Sequence, residues 1–530
     1  MSFLLLPIDM KVIVEQIKAP VNVSEKEIFD IAKARLKKTR AFSNYGDFYI
    51  YKRSIDARNK ENIKLVFSVC ADVEALKDEK ALDLSRHGMK IANETELQFV
   101  LKGEIPTKRP LIVGFGPGGM FCALALAKAG LKPLVVERGS DVDTRVEAVE
   151  NFYKAKVLDK ETNIQFGAGG AGTFSDGKLN TLINDPKCDF VLKTFADFGA
   201  PKEICYNSKP HIGTDILRDV VKNIAKEIIS LGGEIHYNTR LDSYDSGVAH
   251  TTKGDFEYSS LVLAIGHSAR DTYEYLLKKG VAIEAKPFSV GVRVEHLQSD
   301  INEAMYGRYS NKFEPASSKI FHRENQRGVY SFCMCPGGEV VAAQSEEGSV
   351  VVNGMSNYKR NGKNANSAIV VQIDREDYGA TPQKAIKFQR NLEKNAFNLA
   401  GGEYKAPVQT MRDFYNGVAK TEPKRIMPSY MNGHVQVSDL NCALPKFVCD
   451  YLKLGFDKFG QKIKGYNADD VVLTGVETRT SSPVRILRTE KFTMLNDSNV
   501  YPCAEGAGYA GGIMSAAVDG LNVALAILEK

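Results

Sequence analysis

Two short apolar runs that flank a glycine-rich turn constrain the fold of this chain more than any other feature. The first run, Leu111–Val113, ends in Gly114-x-Gly116-x-x-Gly119, and the second, Leu134–Val136, ends in the acid Glu137. An Ala/Leu-rich segment typical of a helix joins them. Strand, glycine-rich turn, helix, strand and an acid about 20 residues past the glycines form the βαβ unit that binds dinucleotides. The sequence therefore predicts an α/β fold with a Rossmann-like domain.

The residues of this unit have separate predicted roles. Gly114 permits the tight turn, Gly116 lets a pyrophosphate approach the backbone, and Gly119 lets helix and strand pack closely. The free N–H groups and partial positive charge of the helix N-terminus attract phosphate. Glu137 is placed to accept hydrogen bonds from a ribose diol, which disfavours a 2′-phosphate. The predicted cofactor-binding residues here are Gly114, Gly116, Pro117, Gly118, Gly119, Glu137 and Arg138.

Two other interpretations of this segment were considered. One is a glycine-rich turn in an α/β protein of another kind, which binds no nucleotide. The other is a membrane span over residues 111–127, which carry no charge. Five of those residues are Gly or Pro, and Lys128 ends the run before it is long enough to cross a bilayer.

Two further glycine-rich segments match the same spacing but differ in context. Gly167–Gly172 follows a polar stretch, so it is not a second Rossmann turn; we expect a loop that lines the cofactor, a plain surface loop being the alternative. Gly506–Gly512 lies between an apolar run, Val500–Pro502, and a final helix that begins near Ile513. No strand and acid follow it. We therefore expect this helix N-terminus to face another part of the same long cofactor, as FAD requires.

The remaining predicted cofactor-binding residues lie in or beside these segments, or at the end of a third buried-strand pattern, Leu261–Leu263. They are Gly170, Thr173, Ser175, Lys178, Ala264, Gly266, Glu505, Gly506, Gly511, Gly512 and Ile513.

Segments along nearly the whole chain resemble an uncharacterised family of bacterial FAD-dependent dehydrogenase-like proteins, within the glutathione-reductase-like FAD superfamily. They are residues 52–58, 169–179, 211–215, 264–270, 332–338, 352–356 and 475–483. The resemblance implies FAD as cofactor. In that superfamily the last motif usually has an Asp that binds the ribityl chain; Glu505 occupies that place here.

The sequence predicts three domains. Residues 1–105 have a β-α-β-β order that suggests a small α+β domain of the ferredoxin-like type, ending in a helical stretch at Glu94–Lys102. Residues 106–285 and 466–530 form a discontinuous FAD-binding domain, to which a strand at Val471–Leu473 is assigned. Residues 286–465 form an inserted substrate domain, with alternating patterns typical of antiparallel strands and a helix at Gln383–Ala400. No second NAD(P)H-binding unit is found.

Seven residues are candidates for the chemistry that accompanies a flavin. Lys178 offers a positive charge to the reduced ring, and His267 follows a strand end, where a general acid or base is often found. Cys333 and Cys335 lie two apart in a predicted strand, so their thiols share a face. They are either a redox pair or plain apolar residues. Predicted to bind an anionic substrate, or else to form salt bridges, are Arg293, Arg479 and Arg485.

Composition limits the function classes. The chain has 530 residues, 43% hydrophobic and 25% charged residues, and a net charge of +5, as in ordinary globular proteins without a nucleic-acid footprint. Nine scattered cysteines without Cys-x-x-Cys favour reduced thiols, and eight histidines show no metal-ligand spacing, so we expect no metal. The N-terminus lacks a basic signal-peptide region, which favours a cytoplasmic location without membrane insertion.

The leading hypothesis is an FAD-dependent oxidoreductase, a dehydrogenase or reductase, that acts on an unidentified small molecule with an unknown electron donor or acceptor. One alternative is a flavoprotein that binds or modifies RNA through the basic run Lys33–Arg40, although such a run is more often the solvated face of a helix. The other alternative is a flavin-binding regulator without turnover.

Overall fold

A computed structural model describes residues 8–75, 83–92 and 97–530. The fold is mixed α/β and divides into two compact units. The first contains the chain up to Leu97 with residues 201–210 and 305–314; the second contains residues 98–200, 211–304 and 315–530. The three predicted domains, with bounds at 105, 285 and 465, stay a prediction.

The first unit is built on a four-stranded antiparallel sheet and one long helix. Helix α1 (Glu25–Thr39) begins at a capping box, because the Ser24 hydroxyl accepts the N–H of Glu27 while the Glu27 carboxylate accepts the N–H of Ser24. The strand order is β2-β3-β1-β4. These strands are β1 (Ile8–Ala19), β2 (Phe42–Asp56), β3 (Lys64–Ala75) and β4 (Met89–Ile91). Of the predicted helix at Glu94–Lys102, residues 94–96 lie outside the described residues, and residues 97–102 are not helical.

The second unit contains a five-stranded parallel sheet in the order β23-β11-β5-β6-β7. Most of these three-residue strands are buried on both faces, which explains their apolar runs. The strands are β5 (Leu111–Val113), β6 (Leu134–Val136), β7 (Glu234–His236), β11 (Leu261–Leu263) and β23 (Val500–Pro502). The helices near them in sequence are α2 (Pro117–Lys128), α3 (Val142–Ala155), α4 (Lys187–Asp197), α5 (Thr214–Ser230), α6 (Arg270–Lys278) and α12 (Ile513–Leu528).

A small antiparallel sheet, β10-β9-β8, lies in the sequence between β7 and β11. Its strands are β8 (Leu241–Asp245), β9 (Val248–Thr251) and β10 (Gly254–Glu257).

The segment between β11 and β23 is dominated by a seven-stranded sheet in the order β14-β15-β18-β13-β21-β19-β20. Its neighbours are antiparallel except β19 and β20. The strands are β13 (Phe288–Leu297), β14 (Phe321–Glu324), β15 (Arg327–Cys335), β18 (Asn364–Ile373), β19 (Ala406–Thr410), β20 (Val435–Val437) and β21 (Val472–Glu477). The strand predicted at Val471–Leu473 is present as β21 and pairs in this sheet, not in the five-stranded parallel sheet.

Two short antiparallel pairs and five helices complete this segment. The pairs are β12 (Ile283–Ala285) with β22 (Val484–Ile486), and β16 (Glu339–Ala342) with β17 (Val352–Met355). The helices are α7 (Gln298–Tyr306), α8 (Arg375–Tyr378), α9 (Pro382–Leu399), α10 (Met411–Asn416) and α11 (Lys446–Lys462). Across the described residues, no helix has the length and apolar character that a bilayer crossing requires.

Candidate functional site

The turn between β5 and α2 is built so tightly that only glycine fits at two of its positions. Gly114 has φ +100°, and a Cβ there would lie 2.3 Å from the carbonyl oxygen of Ala264, just past the end of β11. A Cβ on Gly119 would lie 2.0 Å from the carbonyl oxygen of Gly114. Gly116 is the residue before α2, and Pro117 is its first residue. The turn and the helix N-terminus thus have the form that the spacing of the glycines predicts.

The three glycine-rich segments come together in space. A Cβ on Gly170 would lie 2.9 Å from the Cα of Gly116, and a Cβ on Gly172 would lie 3.1 Å from the Ile513 side chain at the start of α12. The N–H of Gly169 donates to the carbonyl oxygen of Phe115 at 2.8 Å. Residues 114–119, 167–172 and 506–513 therefore line one region, which we call the glycine-rich site.

Helices α2 and α12 also pack closely against each other near their N-terminal halves. A Cβ on Gly520 would lie 2.0 Å from the carbonyl oxygen of Gly118, and a Cβ on Gly118 would lie 2.5 Å from the Cβ of Ala504. Gly118, a predicted cofactor-binding residue, thus has a packing role. The N-terminus of α12 faces the same site as the N-terminus of α2, so two partial positive charges are available there.

Three glycines of the site have room for a ligand beside them. A Cβ on Gly266, Gly511 or Gly512 would meet no protein atom within 4 Å. Gly506, in contrast, packs against the backbone of Gly266. Gly511 and Gly512 are exposed and lead directly into α12. This open border, with two helix N-termini, fits a long anionic cofactor.

Glu137 is buried at the end of β6 and is already engaged with the backbone. Its carboxylate accepts the N–H groups of Phe115 at 2.7 Å, Gly139 at 3.0 Å and Gly167 at 2.9 Å. A carboxylate has about four acceptor positions, so about one remains for a ribose hydroxyl. Glu137 therefore ties the first and second glycine-rich segments together, and its contact with ribose stays a prediction.

Arg138, Thr173 and Ser175 hold local structure through their polar groups. Arg138 pairs with Glu161 and with Asp271, both at 2.9 Å. The hydroxyl of Thr173 donates to the carbonyl oxygen of Ala168 at 3.2 Å, and that of Ser175 donates to Gly172 at 2.7 Å. Direct contact of these side chains with a cofactor stays a prediction.

Lys178 lies in a buried cluster of opposite charges. Its ammonium is 3.3 Å from Asp176 and donates to the carbonyl oxygen of Met334, and Asp176 also accepts the Nε of Arg360 at 2.9 Å. Burial opposes ionisation of Asp176, but the charges of Lys178 and Arg360 outweigh it and lower its pKa to about 2. Burial also disfavours the charged form of Lys178, but the charge of Asp176 outweighs this effect and raises the pKa of the ammonium. Lys178 is therefore a fixed positive charge.

His267 and Glu505 lie side by side at the strand ends that border the site. His267 Nδ1 is 3.7 Å from Glu505 Oε1. Burial, then the charges of Arg479 and Arg270, lower the pKa of His267 to about 3, so the imidazole is neutral near neutral pH. Burial raises the pKa of Glu505 to about 7, against the opposing charge of Lys286. Glu505 is thus the group here that titrates near neutrality.

Two of the three predicted substrate arginines are enclosed in ion pairs. Arg293 binds both carboxylate oxygens of Glu477, at 2.7 and 3.0 Å. Arg479 binds Glu393 at 3.0 Å, and Glu393 also binds Arg270 at 2.6 Å. Arg485 differs, because its side chain is 38% exposed and its nearest acid, Glu284, is 3.7 Å away. A role for each of the three with substrate stays a prediction, and Arg485 is the most available of them.

Cys333 and Cys335 lie at the end of β15 next to this charge cluster, but not in the regular strand that the sequence predicts. Phe332 pairs with Ala368 and Cys335 with Asn366, so one extra residue is inserted and the strand bulges there. Cys333 has φ +43°. Cys335 is fully buried and Cys333 is partly exposed.

Sequence reasoning did not single out several charged residues around the site. Lys286 follows β12, and its positive charge acts on Glu505; nothing in its local pattern marks it. Asp176 lies inside a segment quoted for the family resemblance, which could have drawn attention to it. The other missed residues are Arg270, Arg360, Glu393 and Glu477, whose partners are far away in sequence.

Comparison with known proteins places the chain in a family. Residues 287–480 match the family described as "FAD-dependent protein, C-terminal domain-like". An uncharacterised protein of Clostridium beijerinckii is 49% identical over 494 residues, which are 91% of this chain and 92% of that protein. This chain belongs to the same family as that protein. The match to the FAD-dependent family confirms FAD as the cofactor, whereas membership of the glutathione-reductase-like superfamily stays a prediction.

Solved structures resemble the chain only distantly. The ternary complex of aklavinone-11 hydroxylase with FAD and aklavinone has a TM-score of 0.34 and 14% identity, over 80% of this chain and 62% of that one, less than two thirds of its length. Glycine oxidase from Geobacillus kaustophilus has a TM-score of 0.36 and 12% identity, over 80% of this chain and 96% of that one.

Proposed function

We propose that this protein is an FAD-dependent oxidoreductase that acts on a small molecule. The observation that carries the proposal is the meeting of the three glycine-rich segments at the N-termini of α2 and α12, with open space at Gly511 and Gly512. A single dinucleotide needs only one such helix end. In FAD a ribityl chain separates the central pyrophosphate from the redox ring, so one helix end can face the pyrophosphate and a second the ring.

The residues that would hold FAD follow from these positions. The N–H groups of Gly116 and Gly118 belong to the helix end that suits the pyrophosphate, whereas Pro117 has no N–H. Glu137 would accept a ribose hydroxyl, and Glu505 would face the ribityl chain. The N-terminus of α12 would stabilise negative charge on the reduced ring. When bound, FAD supplies transfer of two electrons at its ring.

Protein groups at the border of the site can bind and move protons. Glu505, with a pKa of about 7, can both hold and release a proton near neutral pH. Its neighbour His267 is neutral under the same conditions and offers a hydrogen-bonding nitrogen. Lys286 and Arg485 add positive charge. Burial, and then the charge of Arg485, lower the pKa of Lys286. This favours an anionic or hydroxylated substrate.

The proposal is tested with the purified protein and FAD. We expect one flavin per chain. When candidate metabolites are added one at a time under anaerobic conditions, a metabolite that reduces the flavin should bleach its colour. A colourless protein that takes up no added FAD would overturn the proposal. Bound flavin that reacts with no tested reductant or oxidant would favour a regulator without turnover.

One variant separates cofactor binding from folding. In Gly511→Val the Cβ meets no protein atom within 4 Å, so we expect the thermal stability of the FAD-free protein to stay unchanged. It would fill the space assigned to the cofactor, and we expect at least about tenfold weaker FAD binding, or about 1.4 kcal/mol. Unchanged affinity would exclude this border as the binding surface.

RNA recognition is not favoured by the first unit. Within the basic run of α1, Arg35 donates to the backbone carbonyls of Glu15 at 2.6 Å and His87 at 2.9 Å. Lys33 lies over the ring of Tyr45 at 6.0 Å. Arg35 is thus engaged within the unit, and no second function is proposed.

A further inference from the structure

The bulge at the end of β15 places two cysteines in an unusual backbone. Because Phe332 pairs with Ala368 and Cys335 with Asn366, the two residues Cys333 and Met334 stand opposite one residue of β18. In a regular strand, Cα atoms two residues apart are about 6.6 Å from each other, close to the limit of about 6.8 Å for a disulfide. Cys333 itself has a left-handed backbone, with φ +43°.

Two cations donate hydrogen bonds to the carbonyl groups of this bulge. Arg293 donates from Nη1 to the carbonyl oxygen of Cys333 at 2.8 Å, and Lys178 donates to that of Met334. The sulfur of Cys335 is 3.5 Å from the carbonyl oxygen of Cys333. The acids Asp176 and Glu477 balance these cations. The conformation of the bulge is thus held from both sides by buried charged groups.

The two thiols differ in the way that thiol exchange requires. A hydrogen bond from Cys335, reinforced by the charges of Lys178 and Arg293 against the effect of burial, lowers the pKa of Cys333. The same hydrogen bond, together with burial, raises the pKa of Cys335. Cys333 is also the more exposed of the two. An accessible thiolate beside a buried thiol is the arrangement of a redox pair.

Other buried cysteines of the chain behave as small apolar residues. Burial raises the pKa of Cys122, Cys503 and Cys449, in the last case to about 11. The contrast shows that burial alone does not account for the environment of Cys333.

The bulge is connected to the glycine-rich site. Lys178 follows the segment whose Gly170 and Gly172 contact Gly116 and Ile513. The charge of Cys333 also acts on Glu505, which precedes Gly506. Through Lys178, the bulge therefore contacts the loop that follows the second glycine-rich segment.

We propose that Cys333 and Cys335 are a redox couple that exchanges two electrons with the bound flavin. The inference rests on the proposed function. In the oxidising direction the Cys335 S–H bond breaks and one S–S bond forms with the Cys333 thiolate, and two electrons and one proton pass to the oxidised flavin. The reverse step restores the thiolate and the thiol. A disulfide between cysteines only two residues apart is strained and hence readily reduced, which suits a reversible couple.

The test is an anaerobic reductive titration of the oxidised, FAD-loaded protein. The wild type should take up four electrons per flavin, two for the ring and two for the disulfide, whereas Cys335→Ser should take up two. Cys442→Ser, at an exposed cysteine, is the matched control and should take up four. If Cys335→Ser does not fold, Cys333→Ser, at the more exposed position, gives the same readout.

A thiol count provides an independent readout. Alkylation of the denatured, oxidised wild type should label seven of the nine cysteines, because the pair is protected, and peptide mapping should find the 333–335 disulfide. Flavin-bound wild type that takes up only two electrons would overturn the inference while the proposed function stands. A disulfide between other cysteines, such as Cys122 and Cys503, would also overturn it. Failure to bind flavin, in contrast, would contradict the proposed function itself.

Discussion

Gly116 and Gly170 lie so close that a Cβ on Gly170 would stand 2.9 Å from the Cα of Gly116. The first belongs to the turn before α2, and the second lies 54 residues later by numbering, in a loop without a strand before it. Their contact brings the second glycine-rich segment to the helix end that attracts phosphate. Any side chain at position 170 must push these two backbones apart.

Gly170→Ala should therefore destabilise the protein and weaken FAD binding. The matched control is Gly130→Ala, at an exposed glycine that also has a positive φ, +82°, but no protein atom within 4 Å of its Cβ position. Gly130→Ala incurs a positive-φ penalty of about 1–2 kcal/mol, whereas Gly170, with φ +64° and ψ −166°, lies in a region almost restricted to glycine, which adds to the cost there. The overlap should cost Gly170→Ala about 1–3 kcal/mol more in free energy of unfolding. Equal denaturation midpoints for the two variants would refute the close contact.

Glu137→Gln tests the buried carboxylate that joins two glycine-rich segments. The amide directs an NH2 group at backbone N–H donors and lacks the negative charge, so we expect a loss of about 1–3 kcal/mol in unfolding free energy. FAD affinity should fall as well. Glu147→Gln, at an exposed position of α3, should change neither quantity. Retention of wild-type stability by Glu137→Gln would contradict these contacts.

Glu505 should make the stability of the FAD-free protein depend on pH. Its pKa is raised by burial from the usual 4.5 to about 7, so the folded state binds its proton more tightly than the unfolded state. The stabilisation is complete below about pH 4.5 and is lost as the pH rises through about 7. The wild type should therefore lose about 3 kcal/mol relative to Glu505→Gln across that window, at about 1.4 kcal/mol per pKa unit. Parallel pH profiles of unfolding free energy would exclude this effect.

The variant Glu393→Ala tests whether the ion pairs of Arg479 and Arg270 stabilise the folded state. Glu393 is fully buried and pairs with both, so Glu393→Ala leaves Arg479 without its carboxylate partner and leaves Arg270 with Glu346 alone. We expect a loss of about 3–5 kcal/mol in chemical denaturation. Asp450→Ala breaks the exposed pair with Lys446 and should cost about 0–1 kcal/mol. Similar losses in the two variants would show that the buried cluster contributes little.

The βαβ unit could be predicted from the sequence because its determinants are local. The strands predicted at Leu111–Val113, Leu134–Val136 and Val500–Pro502 are present with those bounds, and α12 begins at Ile513. A buried parallel strand needs an apolar run, and the turn needs glycines at fixed offsets, so a short window contains the information.

The charge clusters and the bulge could not be predicted in the same way. Arg293 binds Glu477, which is 184 residues away, and Asp176 binds Arg360 across a similar distance. Such pairs depend on how distant elements meet, which no local spacing records. The bulge at Cys333 depends on the register of β15 against β18, and the strand at Val472–Glu477 joins the larger sheet because of its neighbours there.

The most direct measurement of cofactor placement is an experimental structure of the FAD-bound protein. We predict density for the pyrophosphate at the N-terminus of α2 beside Gly116, and for the redox ring at the N-terminus of α12 beside Gly511 and Gly512. FAD bound away from the meeting point of the three glycine-rich segments would contradict the proposed site.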